Sequence, residues 1–186
     1  EMKRIVERCH RNHAQFGYVI APTLGFEYGS DEDYKILLRK LRPIQALGAK
    51  TFVIAFDDTL GMLFSPNDRE KYTSLADAES SITNRLYEDL HKFDSDVVVV
   101  IVPEIYAGVH PMEYTETLVK KLLPEIYIGW TGPQIGAPSF TAADIEGFTK
   151  FYGRAPSFGD NWGSLFPILG RDSDTYKHMT QFALNP

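Results

Sequence analysis

Short runs rich in β-branched and aromatic residues alternate along this chain with longer amphipathic stretches. This alternation is typical of βα units built around a parallel sheet. Several of the short runs are apolar at every position, as expected for parallel strands that helices cover. The sequence predicts strands at residues 16–21, 51–56, 96–102, 126–130 and 155–158. We therefore expect an α/β fold whose five strands lie parallel and adjacent in chain order.

Helical periodicity occupies the intervals between the predicted strands. It predicts helices at residues 31–47, 68–91, 112–123 and 141–152, and a further helix before the first strand. Gly48 and Gly153 follow two of these segments, as glycine often does at a helix end, and Thr141 is suited to cap the last one. Because the sequence contains no internal repeat or linker, residues 1–186 are expected to form a single domain.

Composition restricts the classes of function. The chain has 186 residues, a formal charge of −6 and 44% hydrophobic residues, which is ordinary for a globular domain with a core. No basic patch stands out, which argues against nucleic acid as a partner. The longest apolar run, residues 97–103, is far too short to cross a bilayer, so no membrane association is expected. The single cysteine, Cys9, fits a reducing compartment and a cytoplasmic or nuclear location.

Polar residues cluster where the predicted strands end. They are Pro22 and Thr23, Asp57 and Asp58, Glu104 and Tyr106, Thr131 and Gly132, and Asp160 and Asn161. In parallel barrels and open sheets, the carboxyl edge of the strands holds the functional site, because the βα loops there vary without disturbing the core. Loops that are merely solvated would also be polar, so both interpretations stay open at this point.

Asp57 and Asp58 directly follow a fully apolar strand. Two adjacent carboxylates at a buried mouth repel each other, and this repulsion pushes their pKa values apart. Such a pair suits one group to stay ionised and the other to act as a general acid. Two other interpretations are a solvated turn that caps the next helix and a carboxylate site for Mg²⁺, although no further acidic pair lies at a matching spacing.

The other strand ends fit a sugar better than a metal ion or a phosphate. Aromatic and amide groups of the kind that stack on sugar rings and bind hydroxyls come from Tyr106, Trp130, Asn161 and Trp162. Trp130 fits a place in the core equally well. No glycine-rich phosphate loop is present, and the five histidines form no metal-binding pattern.

Four ordered motifs carry a specific resemblance. They are TFVIAFDD at 51–58, SLADAESSITN at 74–84, WTGP at 130–133, and RAP at 154–156 followed by Asp160 and Asn161. Together they resemble the catalytic domain of the O-GlcNAcases, glycoside hydrolase family 84, over nearly the whole chain. The resemblance implies a (β/α)₈ barrel, of which this chain would supply about five units, without the first two strands and the last one.

The resemblance also implies an activity. Members of this family remove β-linked N-acetylglucosamine with retention of configuration, and the substrate's own 2-acetamido group is the nucleophile. Asp57 would be the ionised carboxylate that orients the acetamide, and Asp58 the general acid and then the base. Tyr106 matches the tyrosine near the acetamide, and Asn161 the asparagine that binds the sugar. The implied partners are O-GlcNAc-modified proteins or β-GlcNAc glycans, and no cofactor or metal ion is implied.

The chain departs from the family pattern in the last motif. Gly159 stands where the family usually has tryptophan, and Trp162 is the residue that would replace it. The family's Asn-Asp pair after this motif has no counterpart here. These departures favour the alternative of a non-catalytic homologue that binds GlcNAc-bearing proteins or another protein. They also predict that this chain alone hydrolyses β-GlcNAc poorly or not at all.

Overall fold

The computed structural model describes residues 1–22, 25–58, 61–161 and 181–184. The strands are β1 (Gly17–Ile20), β2 (Thr51–Ala55), β3 (Val98–Val102), β4 (Tyr127–Trp130), β5 (Ser157–Asp160) and β6 (Gln181–Leu184). The helices are α1 (Met2–Arg11), α2 (Asp31–Ala46), α3 (Pro66–Lys71), α4 (Leu75–His91), α5 (Glu113–Lys121) and α6 (Ala142–Tyr152).

The six strands form a sheet in chain order, β1-β2-β3-β4-β5-β6. Every neighbouring pair is parallel. The predicted α/β class and the parallel order of the first five strands are therefore confirmed. Strand β6 was not predicted from the sequence. Closure of the sheet into an eight-stranded barrel stays a prediction.

The single helix predicted at residues 68–91 is wrong, because the structure has two helices there, α3 and α4. The chain is extended at Tyr72, with φ −120° and ψ 142°. The Tyr72 hydroxyl donates a hydrogen bond to the carbonyl of Tyr28 at 3.0 Å, a contact between residues 44 apart in sequence. Ser74 then caps α4, and its hydroxyl accepts the Asp77 amide at 3.2 Å.

The side chains of the central strands alternate between two faces of the sheet. On one face, Phe52, Ile54 and Ile101 are fully buried and belong to the same core cluster as Leu86 of α4 and Leu118 of α5. On the opposite face, small and β-branched side chains line a cavity, and Val19 at the β1 edge is 59% exposed. The helix-covered face therefore holds the core, and the other face is accessible.

This asymmetry predicts different costs for the same truncation on the two faces. Val99 of β3 is fully buried on the helix-covered face, whereas Val19 of β1 is 59% exposed on the cavity face. Val99→Ala should lower the free energy of unfolding by about 2 kcal/mol, because it removes buried methyl groups and leaves a cavity. Val19→Ala should change it by less than about 0.5 kcal/mol. Denaturant unfolding of both variants measures the difference, and equal losses would mean that the cavity face is covered in solution.

Candidate active site

Asp57 reaches the cavity face because of the two-residue period of β2. Val53 and Ala55 line the cavity, and Asp57 follows them two residues further on and lines the same space. Its side chain is half-buried. The strand that carries Asp57 is anchored by the fully buried Phe52 and Ile54 on the opposite face. A rigid, well-packed strand therefore fixes the direction of this carboxylate.

The cavity at the carboxyl end of the sheet has a volume of about 340 Å³. Its polar side chains come from Asp57, Tyr106, Thr131, Ser157 and Asn161. Its apolar wall is formed by small and aliphatic residues of the central strands, including Val53, Ala55, Val100 and Val102. An apolar concave space with a few convergent polar groups is the usual form of a small-molecule site, and this volume lies at the lower end of that class.

Asp58 lies beside this cavity. Its side chain is exposed, and it is not one of the residues that line the cavity. Its charge nevertheless raises the pKa of both Asp57 and Tyr106, so its carboxylate is close to both. Its backbone has φ 58°, in the left-handed region that L-residues other than glycine rarely adopt. Such backbone strain is concentrated at functional sites, where the surrounding fold holds it in place.

Burial raises the pKa of Asp57, the charges of Asp58 and Glu104 raise it further, and the hydrogen bond from its own backbone amide opposes them. Asp57 is the half-buried member of the pair, and Asp58 is exposed. Burial acts on the Asp57 carboxyl because the two-residue period of β2 directs it into the cavity.

Tyr106 lies in the loop after β3, and this loop is tied to the neighbouring one. The Tyr106 carbonyl accepts the Thr131 amide at 3.0 Å, and the Gly108 amide donates to the Gly132 carbonyl at 2.8 Å. Burial raises the pKa of Tyr106, and the charges of Asp58, Asp57 and Glu104 add to this shift. The phenol is therefore a neutral hydrogen-bond donor next to carboxylates.

Asn161 contributes from the end of β5. Its amide nitrogen donates to the carbonyl of Ile135 at 3.1 Å, and this bond links β5 to the loop after β4. The structure thus brings Asp57, Tyr106 and Asn161 to one cavity, with Asp58 at its edge. Trp162, which was predicted to bind the sugar, lies outside the described residues.

Comparisons with known proteins identify the family of the chain. The model of the beta-N-acetylglucosaminidase family matches residues 1–186. The chain belongs to this family. The protein O-GlcNAcases of Rattus norvegicus and Mus musculus are each 27% identical to it over 201 residues, which cover 100% of this chain and 22% of each relative. The chain therefore spans about a fifth of the length of these curated relatives.

A solved structure is also similar. A mutant O-GlcNAc hydrolase of Thermobaculum terrenum matches with a TM-score of 0.90 and 26% identity, over 99% of this chain and 42% of that chain. The match is consistent with a parallel sheet curled as half of a barrel. The resemblance to O-GlcNAcases that the sequence motifs indicated is confirmed.

The ring of Trp130 is packed in the core. It is 2% exposed and packs against Phe148 of α6 and Phe158 of β5, with ring centroids 5.1 Å and 6.2 Å away. Its indole N–H donates to the Gly108 carbonyl at 2.9 Å. Trp130 is opposite Phe158 in the sheet, and it is also one of the residues that line the cavity. A contact between Trp130 and the sugar therefore stays a prediction.

Two carboxyl groups near this site were not predicted as site residues. The first is Glu104 in the loop after β3, whose charge raises the pKa of Asp57. The second is Glu79 of α4, which is fully buried below that loop. The sequence contained a signal for Glu104, which lies at a predicted strand end. Glu79 lies within the motif at 74–84 that contributes to the family resemblance, but nothing in that motif marks this position as buried near the site. In the described part of the chain, no three His, Cys, Asp or Glu side chains are grouped as metal ligands, and no helix there is long and apolar enough to span a membrane.

The raised pKa of Asp57 predicts that its charge destabilises the fold. A carboxyl group with a raised pKa stabilises the fold at low pH and loses this contribution as pH rises through the folded-state pKa. Asp57→Asn should therefore raise the free energy of unfolding at pH 7, and have little effect below about pH 3.5. Asp96→Asn is the control, because the Asp96 side chain is 80% exposed. An equal gain in both variants, or a gain that persists at low pH, would contradict the prediction.

Proposed function

We propose that this chain carries the catalytic carboxylates of a retaining β-N-acetylglucosaminidase that removes O-linked GlcNAc from proteins by substrate-assisted catalysis. The observation that supports this most strongly is the cavity of about 340 Å³ lined by Asp57, Tyr106 and Asn161, with Asp58 beside it. Its polar groups are carboxylates, a phenol and an amide, which match the acetamide and hydroxyl groups of this sugar. The family match supports the reaction class.

Asp57 receives the acetamide of the sugar in this proposal. The unoccupied site raises the pKa of Asp57, chiefly by burial. An N–H donor from the acetamide would favour the ionised form, because hydrogen bonds to a carboxylate stabilise its charge. The oriented acetamide oxygen then attacks the anomeric carbon, the bond to the leaving oxygen breaks, and an oxazoline forms. The negative charge of Asp57 stabilises the positive charge that develops on this ring.

Asp58 protonates the leaving oxygen in this proposal and then removes a proton from the attacking water. A general acid must be able to reach the bond outside the sugar ring, and the exposed place of Asp58 beside the cavity suits this. A bound sugar would cover Asp58 and remove water from it, and desolvation disfavours the charged form of a carboxyl. Substrate binding would thus favour the protonated form of Asp58 that a general acid requires.

Tyr106 and Asn161 position the sugar in this proposal. The neutral Tyr106 phenol can donate a hydrogen bond to the acetamide region, and the Asn161 amide can bond to ring hydroxyls. The named relatives from rat and mouse are protein O-GlcNAcases, which supports glycoproteins as the substrate class. The proposal includes a cytoplasmic or nuclear location, with which the single cysteine, Cys9, agrees because such compartments are reducing.

A second candidate function is a binding module for GlcNAc-bearing proteins without turnover. The observation that favours it is the accessible cavity face, where Val19 is 59% exposed. An open site lets water reach the sugar and gives fewer contacts to hold it in a reactive geometry, and such positioning supplies much of the rate in enzymes. Binding of the monosaccharide without hydrolysis would support this candidate.

The test uses the purified chain with aryl glycosides. We expect slow turnover of an aryl β-GlcNAc with a good leaving group and none of the matching aryl β-glucoside, which lacks the acetamide. Asp58→Asn should reduce turnover about 10²–10⁴-fold for poor leaving groups and far less for an activated phenol, because the activated phenol needs little protonation. Asparagine tolerates a left-handed backbone well, so this variant keeps the loop conformation.

The controls separate the two candidates. Asp57→Asn should abolish turnover with both kinds of leaving group, because it removes the charge that stabilises the oxazoline. Hydrolysis of β-GlcNAc and β-glucoside at equal rates would contradict the substrate-assisted mechanism. Because this chain alone is expected to hydrolyse β-GlcNAc poorly, the same assays on a protein that carries these residues within a complete barrel decide between the candidates. Saturable binding of GlcNAc without any turnover there would establish the binding module instead, and the absence of both binding and turnover there would refute both candidates.

A further inference from the structure

Glu79 is a fully buried carboxyl group below the candidate active site. It lies on α4 and has no exposed surface, and burial raises its pKa to about 8. None of the ion pairs formed by the described residues includes it. A buried carboxyl without a cation is costly to the fold. Its presence in an otherwise well-packed helix therefore calls for a role.

Glu79 is hydrogen-bonded to the active-site loop through one side chain. The hydroxyl of Tyr114 on α5 donates to Glu79 Oε2 at 2.5 Å. The same hydroxyl accepts the backbone N–H of Glu104 at 2.9 Å. Pro103 has no N–H, so the Glu104 amide is the first donor of the loop that follows β3. Two consecutive hydrogen bonds thus link the start of this loop to two helices. They run from the Glu104 N–H to the Tyr114 hydroxyl and from that hydroxyl to the Glu79 carboxyl.

The later part of the loop, at Tyr106 and Gly108, is held by hydrogen bonds from Trp130 of β4 and from the loop after β4. The Tyr106 carbonyl accepts the Thr131 amide at 3.0 Å, and the Gly108 carbonyl accepts the Trp130 indole N–H at 2.9 Å. Tyr106 therefore lies between two anchors: the loop after β4 holds its carbonyl side, and the Glu79–Tyr114 pair holds the backbone two residues before it. Loss of either anchor would leave the phenol free to shift relative to Asp57.

We propose that Glu79 is a positioning residue of the sugar site, which acts through the Tyr114 hydroxyl on the backbone at Glu104 and so sets where Tyr106 meets the sugar. The inference rests on the proposed function, since it gives Tyr106 a sugar to contact. Glu79 performs this role in its neutral form. Its hydrogen bond to Tyr114 needs only an acceptor oxygen, which the protonated carboxyl supplies. This bond by itself favours the ionised form, but burial and the Glu104 charge oppose it and keep the pKa raised.

Ionisation of Glu79 is expected to weaken the arrangement. The titratable groups that face it are Tyr114 of α5, Glu104 after β3 and Tyr28 of the loop before α2. None of the three is a cation, and Glu104 raises the pKa of Glu79 by charge repulsion. Above about pH 8, the buried charge of Glu79 would therefore face the charge of Glu104 in the loop after β3. The sugar site should lose affinity in this pH range.

The test measures GlcNAc binding by calorimetry, and hydrogen exchange of the Glu104 amide, in the full chain between pH 6 and 9. Glu79→Gln keeps an acceptor for Tyr114 but cannot ionise. It should match the wild-type affinity within about twofold at pH 6 and lack the fall in affinity near pH 8. Tyr114→Phe should lower the affinity about 5–10-fold at every pH and remove most of the protection of the Glu104 amide.

Tyr152→Phe is the matched control, because it removes the same atom from a ring of α6 that is 2% exposed. It should change neither the affinity nor the Glu104 protection. An unchanged Glu104 amide in Tyr114→Phe, or a fall in affinity near pH 8 that persists in Glu79→Gln, would overturn the inference. If Tyr114→Phe does not fold, the pH profile of Glu79→Gln decides alone.

Failure of the proposed function gives a different result. A wild-type chain that binds no GlcNAc at any pH refutes the proposed function. The anchoring of the loop is then decided by hydrogen exchange, in which loss of Glu104 protection in Tyr114→Phe but not in Glu79→Gln at pH 6 supports it. Equal exchange in all four proteins overturns it.

Discussion

The two-residue period of the parallel strands determines which side chains reach the site. In β2 and the residue after it, three side chains are fully buried on the side of the helices: Phe52, Ile54 and Phe56. Burying each such side chain stabilises the fold by about 1.5–3 kcal/mol. A slip of one residue would turn all of them toward the cavity. The same register turns Asp57 inward. The position of this carboxylate is therefore set by the apolar residues that precede it.

The distribution of charge follows from this arrangement. The ion pairs among the described residues lie on helices and at the amino ends of strands, as in Lys50 with Asp94 and Arg85 with Asp31. Asp57, Asp58 and Glu79 take part in none of them. Burial and neighbouring negative charges raise the pKa of Asp57 and of Glu79, and perturbed titration of this kind is concentrated at functional sites. The fold concentrates this electrostatic cost at the carboxyl edge of the sheet.

The sequence predicted the features that depend on local pattern. The first five strands, the capped start of α6 at Thr141 and the carboxylate pair after β2 all follow from periodicity and residue type. The break before α4 depends on the Tyr72 hydroxyl bonding to the distant Tyr28 carbonyl, which no local pattern contains. Trp130 was open to two interpretations because its face is decided by its neighbour Phe158 across the sheet. Glu79 was missed for the same reason, since only the packing of α4 against α5 buries it.

Glu104 connects the two perturbed carboxyl groups of the site. Its charge raises the pKa of Asp57 on one side and of Glu79 on the other. Its backbone amide is held by the Tyr114 hydroxyl, whose own acceptor is Glu79. A proton on Glu79 therefore limits the negative charge around Glu104 while the hydrogen-bonded chain stays intact. In the proposed mechanism Asp57 carries a charge that stabilises an oxazoline, and a neutral Glu79 would let the site keep that charge without adding a further one beneath the loop after β3.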